Sequence, residues 1–232
     1  MATRFFFPEA TPADVTPALS AWTVTTGFVR RKMVVTKGPS AITVGATVTL
    51  SGTAGHTGLN RQYVSDPMAA GVVFGTSTGR TGQLMTREYA TADNVDRVAS
   101  TLKVVSEDGA TLRATLLGLA TTWGSTLEFI NNVTHRNHTW QTGVSNLSYT
   151  TVLGDRLVLE IGFSNSTSGS SPQASAKWGE NATDLPVNNT QTTDGAGWFE
   201  LSTNITFVTP TPPPLFLWGG LPGHRRTILR RF

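Results

Sequence analysis

Three stretches of this chain switch between two kinds of side chain at every residue, and a period of two is the period of a β-strand. Ile42, Val44, Ala46, Val48 and Leu50 alternate with Thr43, Gly45, Thr47 and Thr49. Leu157, Leu159, Ile161 and Phe163 alternate with Val158, Glu160 and Gly162. Phe199, Leu201, Ile205 and Phe207 alternate with Glu200, Ser202, Asn204 and Thr206. Between them, Leu102–Ser106 and Thr111–Leu117 read as a hairpin, because Glu107-Asp108-Gly109 supplies the positive-φ residue that a tight turn needs. On its second strand, Leu112, Ala114 and Leu116 are expected to share a face. Thr is the commonest residue, at 38, and Gly follows at 23. Thr is β-branched and loses rotamer freedom in a helix. The one short helical candidate, Thr91–Ala99 capped by Asp93, reads equally as the start of a strand. These patterns predict an all-β chain, an antiparallel β-sandwich of jelly-roll type.

The organisation is tripartite. Residues 1–20 are an extended lead-in. Phe5, Phe6 and Phe7 form an edge strand, and Pro8, Pro12 and Pro17 follow. The lead-in either crosses to a neighbouring subunit or closes its own domain. Residues 21–208 are the sandwich body. Residues 209–232 are a C-terminal arm, with Thr209-Pro-Thr-Pro-Pro-Pro214 as polyproline II, an apolar run Leu215, Phe216, Leu217 and Trp218, then a glycine pair and a basic end. Arg225, Arg226, Arg230 and Arg231 explain the isoelectric point of 9.6. Without them the formal charge falls from +3 to −1, so the body carries no basic stripe for nucleic acid. The opening residues lack the pattern of a signal peptide, and no apolar stretch is long enough for a membrane span.

Few residues offer chemistry. There is no Cys, which removes disulfides, thiolate metal sites and a Cys nucleophile. His135 and His138 form an H-x-x-H pair. On a strand, positions three apart face opposite sides, so the expectation is a solvated loop and no metal. Glu128, Glu160 and Glu200 are the acids that a glycosidase could arrange around a sugar, but each also reads as an outward strand position. Gly75-Thr-Ser-Thr-Gly79-Arg-Thr-Gly82 lacks the Lys-Ser/Thr ending of a phosphate loop and is expected to be a turn. Seven N-x-S/T sequons, at Asn132, Asn137, Asn146, Asn165, Asn181, Asn188 and Asn204, read as a by-product of Asn in Thr-rich sequence. Trp123 and Trp140 are candidates for a sugar-binding platform, with core packing as the other reading. No catalytic residue, metal or cofactor is expected.

Several segments, in order, resemble a family of virion-associated proteins of tailed phages. They are Thr3-Arg-Phe-Phe-Phe-Pro8, Arg31-Lys-Met-Val34, Gln62-Tyr-Val-Ser-Asp-Pro67, Val104-Val-Ser-Glu-Asp-Gly109 with Arg113, Leu159-Glu-Ile-Gly-Phe163, Ala182-Thr-Asp-Leu-Pro186 and Trp198-Phe-Glu-Leu-Ser202. The resemblance spans residues 3–202 and does not cover the arm. It implies a non-enzymatic, homo-oligomeric structural subunit located in the virion. Such a subunit decorates the capsid or belongs to the tail; the composition of the termini, not the resemblance, adds the expectation that it docks on other virion proteins through its terminal arms. A carbohydrate- or receptor-binding tail module is the alternative. Leu215, Phe216, Leu217, Trp218, Arg225, Arg226, Arg230 and Arg231 are the expected docking residues. Ordering about 20 arm residues costs about 1–2 kcal/mol each, and burying the four apolar side chains returns roughly 1.5–3 kcal/mol each. A partner's hydrogen bonds or charges must supply the difference.

Overall fold

The computed structural model describes residues 1–50, 53–76, 78–89, 95–120, 134–140, 148–165 and 171–208. The described residues form fourteen strands and no helix. They run β1 (Thr3–Phe6), β2 (Val29–Lys32), β3 (Thr43–Val44), β4 (Val48–Thr49), β5 (Thr57–Val64), β6 (Val73–Phe74) and β7 (Arg80–Glu88). Then come β8 (Val95–Val105), β9 (Leu112–Ala120), β10 (Arg136–Trp140), β11 (Tyr149–Thr150), β12 (Arg156–Asn165), β13 (Gln173–Trp178) and β14 (Trp198–Leu201).

Two large sheets pack face to face, and β6 and β11 form a small two-stranded sheet of their own. The second sheet has the order β2-β5-β12-β8-β9 and is antiparallel except for the parallel pair β2–β5. The first is organised around β7. Gly82 pairs with both Phe199 and Trp140, and Met85 with both Asn137 and Lys177. A strand has two edges, so β10 occupies one of them and β14 and β13 lie end to end along the other. β1 extends the sheet beyond β14, and β3 and β4 lie beyond β13. The chain crosses between the sheets repeatedly, as in other antiparallel sandwiches.

The core lies between the sheets. Leu157, Leu159, Ile161 and Phe163 point into it from β12, as their spacing predicts, and meet Phe5, Leu84, Trp140 and Phe199 from the other sheet. Gly82 faces Trp140 so closely that a Cβ there would lie 2.2 Å from the indole Cε2, so only glycine fits beneath that ring.

Three local expectations change. Residues 42–50 do not form one strand: β3 and β4 are separate, Val44 is half exposed, and only Val48 and Leu50 reach the core. Gly45 breaks the run where the chain crosses the Trp178 indole, whose Nε1 would lie 2.5 Å from a Cβ. The region from Val95 is strand, which removes the helical reading for its described part. The hairpin forms at Gly109, with φ +76°, but register shifts along β8–β9 divide the three residues expected to share a face. Ala114 and Leu116 are buried, whereas Leu112 is 58% exposed.

The outer face of the second sheet is also covered. Residues 13–22 lie across it: Ala13 and Val15 pack on Val64, Val105 and Val158, and Leu19 and Trp22 on Leu59 and Ala99. Every residue of β5 and β12 is therefore buried. The lead-in packs against its own domain.

Candidate functional site

Beneath this N-terminal strap runs a polar row across four strands. Arg30, Gln62, Glu160 and Lys103 come from β2, β5, β12 and β8. Gln62 and Glu160 are direct cross-strand partners. Glu160 is fully buried and accepts hydrogen bonds from Lys103 Nζ (2.8 Å), Gln62 Nε2 (2.9 Å), Trp22 Nε1 (2.7 Å) and the Ser20 N–H (3.1 Å). Lys103 also donates to Ser20 Oγ and to the Ala18 carbonyl. Arg30 Nε donates to Gln62 Oε1. Burial alone would raise the Glu160 pKa, but Lys103, Trp22 and Gln62 together hold it below the ordinary value. The carboxylate stays ionised and ties the strap to the sheet.

Glu200 is equally committed. It accepts from Arg4 Nε at 2.9 Å, and Arg4 also bonds Asp184 at 2.7 Å and stacks over Trp198. Glu160 lies on the outer face of one sheet and Glu200 on the outer face of the other, so the two cannot flank one glycosidic bond. Glu128 lies outside the described residues.

The histidines depart from the solvated loop expected of them. His138 lies on β10 and His135 directly precedes it; both are 2% exposed. His135 Nε2 is 3.0 Å from Ser175 Oγ. Burial lowers both pKa values to about 4, helped by Arg87 and Lys177 at His135 and by Arg136 at His138. Among the described residues no cluster of His, Asp and Glu has the arrangement of a metal site.

Trp140 is fully buried and stacks on Phe199, with centroids 5.3 Å apart and planes 10° from parallel. It has no face for a sugar; the inward register of β10 explains this. Trp123 lies outside the described residues. Two sequon amides are buried: Asn137 Nδ2 donates to the Pro186 carbonyl and Asn165 Nδ2 to that of Thr53, which fits the by-product reading. Within the glycine-rich segment the Thr78 N–H donates to the Gly75 carbonyl at 3.0 Å, as a turn requires, whereas Arg80, Thr81 and Gly82 already belong to β7.

The expected docking residues Leu215, Phe216, Leu217, Trp218, Arg225, Arg226, Arg230 and Arg231 all lie outside the described residues. Their point of departure does not. The Val208 N–H donates to the Pro67 carbonyl, and the next residue, Met68, both donates to the Asp155 carbonyl and accepts from the Gly154 N–H. Val208, the last described residue, therefore lies beside the Gly154–Asp155 turn.

That end of the sandwich holds two recesses on either side of the β8–β9 hairpin tip. One is an apolar slot of about 180 Å³ between strap and hairpin, lined by Leu19, Ser20, Lys103, Val105, Leu112 and Thr115. The other is an open cleft of about 490 Å³, lined by Glu107, Asp108, Thr111, Arg113, Leu153 and Asp155. Asp155 accepts from Tyr149 Oη at 2.6 Å and from the Val152 N–H at 3.0 Å, with Arg113 Nε 3.5 Å away. Burial, then Asp155, push the Tyr149 phenol up to about 12. Gly154, at φ +90°, lets the Glu107 carboxylate pack over the turn, where a Cβ would meet it at 2.8 Å. Sequence reasoning missed these recesses and the polar row. The one signal was a glutamate inside an otherwise apolar strand, Leu157-Val-Leu-Glu-Ile161.

No family model and no curated protein matches the chain. Solved structures of infectious bursal disease virus are similar to it at low level. The VP2 subviral particle shares 11% identity over 80% of this chain and 44% of that one, with a TM-score of 0.26. The Gx strain structure shares 12% over 84% and 49%, with a TM-score of 0.24. A T=1 particle shares 14% over 85% and 46%, with a TM-score of 0.22. This chain spans about half the length of those proteins, and TM-scores this low carry no argument about function.

Proposed function

We propose that this chain is a non-enzymatic structural component of a phage particle, a capsid decoration or tail-associated subunit that docks on neighbouring virion proteins through residues 209–232. The reading rests chiefly on the ordered set of segments between residues 3 and 202 that resembles virion-associated proteins of tailed phages. Two structural observations support it. Glu160 and Glu200 serve as structural ion-pair partners on opposite faces. The N-terminal segment packs on its own sheet, which leaves the C-terminal segment as the docking element. The alternative, a glycan-binding tail module, loses Trp140 to the core.

The test is a truncation after Val208 in the producing phage. The shortened chain is expected to fold, with unchanged circular dichroism and melting, yet to be absent from purified particles by mass spectrometry. Normal incorporation would overturn the docking role.

A further inference from the structure

We infer that the two recesses at the β8–β9 hairpin receive the C-terminal segment of a second copy of this chain, with an apolar side chain from Leu215–Trp218 in the slot and the arginines of 225–231 over the acidic cleft. This rests on the proposed docking role and adds where the segment docks.

Three observations converge. The first is matched chemistry in two parts. The slot is apolar along Leu19, Val105 and Leu112, and its volume suits one large side chain. The cleft presents the carboxylates of Glu107 and Asp108, with Asp155 buried in its wall and already paired with Tyr149 and Arg113. Residues 209–232 hold one apolar run and four arginines, with no acidic side chain among them. A single segment with both characters complements two neighbouring recesses better than either would fit alone.

The second is exposure. Leu112 at 58%, Leu153 at 69% and Val152 at 50% are among the most exposed large apolar side chains of the described body, and all border this end. Exposed apolar surface ringed by charge is the mark of an interaction site. β9 is also a sheet edge with no strand beyond it among the described residues, and an unpaired edge accepts an added strand.

The third is geometry. Val208, the last described residue, lies beside Asp155, at the same end as the cleft. The sequence predicts a stiff run over residues 209–214, about 19 Å long at about 3.1 Å per residue. A run that stiff, starting next to the cleft, would span past the recess beside it, which favours a neighbour's recess over the chain's own.

The test uses the full chain with Trp218→p-benzoylphenylalanine, prepared as an equal mixture of ¹⁴N and ¹⁵N protein and photolysed. Cross-linked peptides are expected to join position 218 to residues 109–115, with both isotopes within one pair. Pairs of a single isotope only, cross-links elsewhere, or none would overturn the inference. In parallel, Leu112→Asp is expected to weaken self-association at least about tenfold by sedimentation velocity, while Val35→Asp, an exposed apolar position outside both recesses, leaves it unchanged. Equal effects of the two would contradict the site. If particles still take up the chain while these results fail, the docking location is wrong and the virion role stands.

Discussion

Replacing Glu160 with Gln tests whether the strap is held by the buried charge. The change keeps the shape and removes the ion that Lys103 faces at 2.8 Å, where the two side chains are 0% and 7% exposed. Breaking a buried pair by neutralising one partner leaves an uncompensated charge and costs about 3–5 kcal/mol. The amide worsens this, since Ser20 N–H, Trp22 Nε1 and Gln62 Nε2 all donate to the carboxylate, and the introduced side-chain NH₂ would present a donor to one of them. For a domain with about 5–15 kcal/mol of stability, that is a large fraction. Lys103→Met should cost a similar amount, and the double variant much less than the sum, because neither ion is then stranded. Urea unfolding of the four proteins gives the cycle, and hydrogen exchange at the Ser20 amide reports the strap directly. A cost below about 1 kcal/mol for Glu160→Gln, or additive single effects, would refute the reasoning.

Three further outcomes are expected. Stability should fall as the solution is acidified from pH 6.5 toward 4. His135 and His138 have folded pKa values near 4, below the ordinary 6.5, so the unfolded chain takes up protons first and each contributes a slope of up to about 1.4 kcal/mol per pH unit. Glu160 and Asp184, both held low, lose their contribution below about pH 4, in the same direction; urea midpoints independent of pH over this range would contradict the burial of the histidines. Trp140→Ala should destabilise by about 3–5 kcal/mol in thermal or urea unfolding, whereas a surface sugar platform would lose binding with stability intact. Arg80 is only 7% exposed; among the described residues its Nε and Nη1 find no partner and Nη2 bonds the Leu116 carbonyl, and burial lowers its pKa to about 10. Arg80→Met should therefore be neutral or stabilising by up to about 2 kcal/mol, and a loss above about 2 kcal/mol would show that the guanidinium has a partner.

Local patterns were legible in the sequence and coverings were not. The alternation at Leu157–Phe163 correctly oriented β12, and Glu107-Asp108-Gly109 correctly located the hairpin, because both depend on residues a few positions apart. The burial of Glu160 depends on Ser20 and Trp22, about 140 residues away, folding over the sheet. Period two alone would have left it in water. The alternation groups Leu112 with Ala114 and Leu116, because register shifts in β8–β9 leave no mark in it. The alternation left Trp140 open between a sugar platform and the core, and it read the H-x-x-H pair as a solvated loop; the register of β10 against β7 takes Trp140 into the core, and both histidines are buried. The arm showed its chemistry plainly, in its prolines, apolar run and arginines, because composition can be read before any fold is known.

A cryo-electron microscopy map of the intact particle from the producing phage tests whether this chain is a virion structural subunit. Density for the β-sandwich body is expected at a fixed, repeated position, with residues 209–232 running onto the β8–β9 hairpin of an adjacent copy. A particle map fully accounted for by other proteins, with the chain recovered only outside particles, would contradict it.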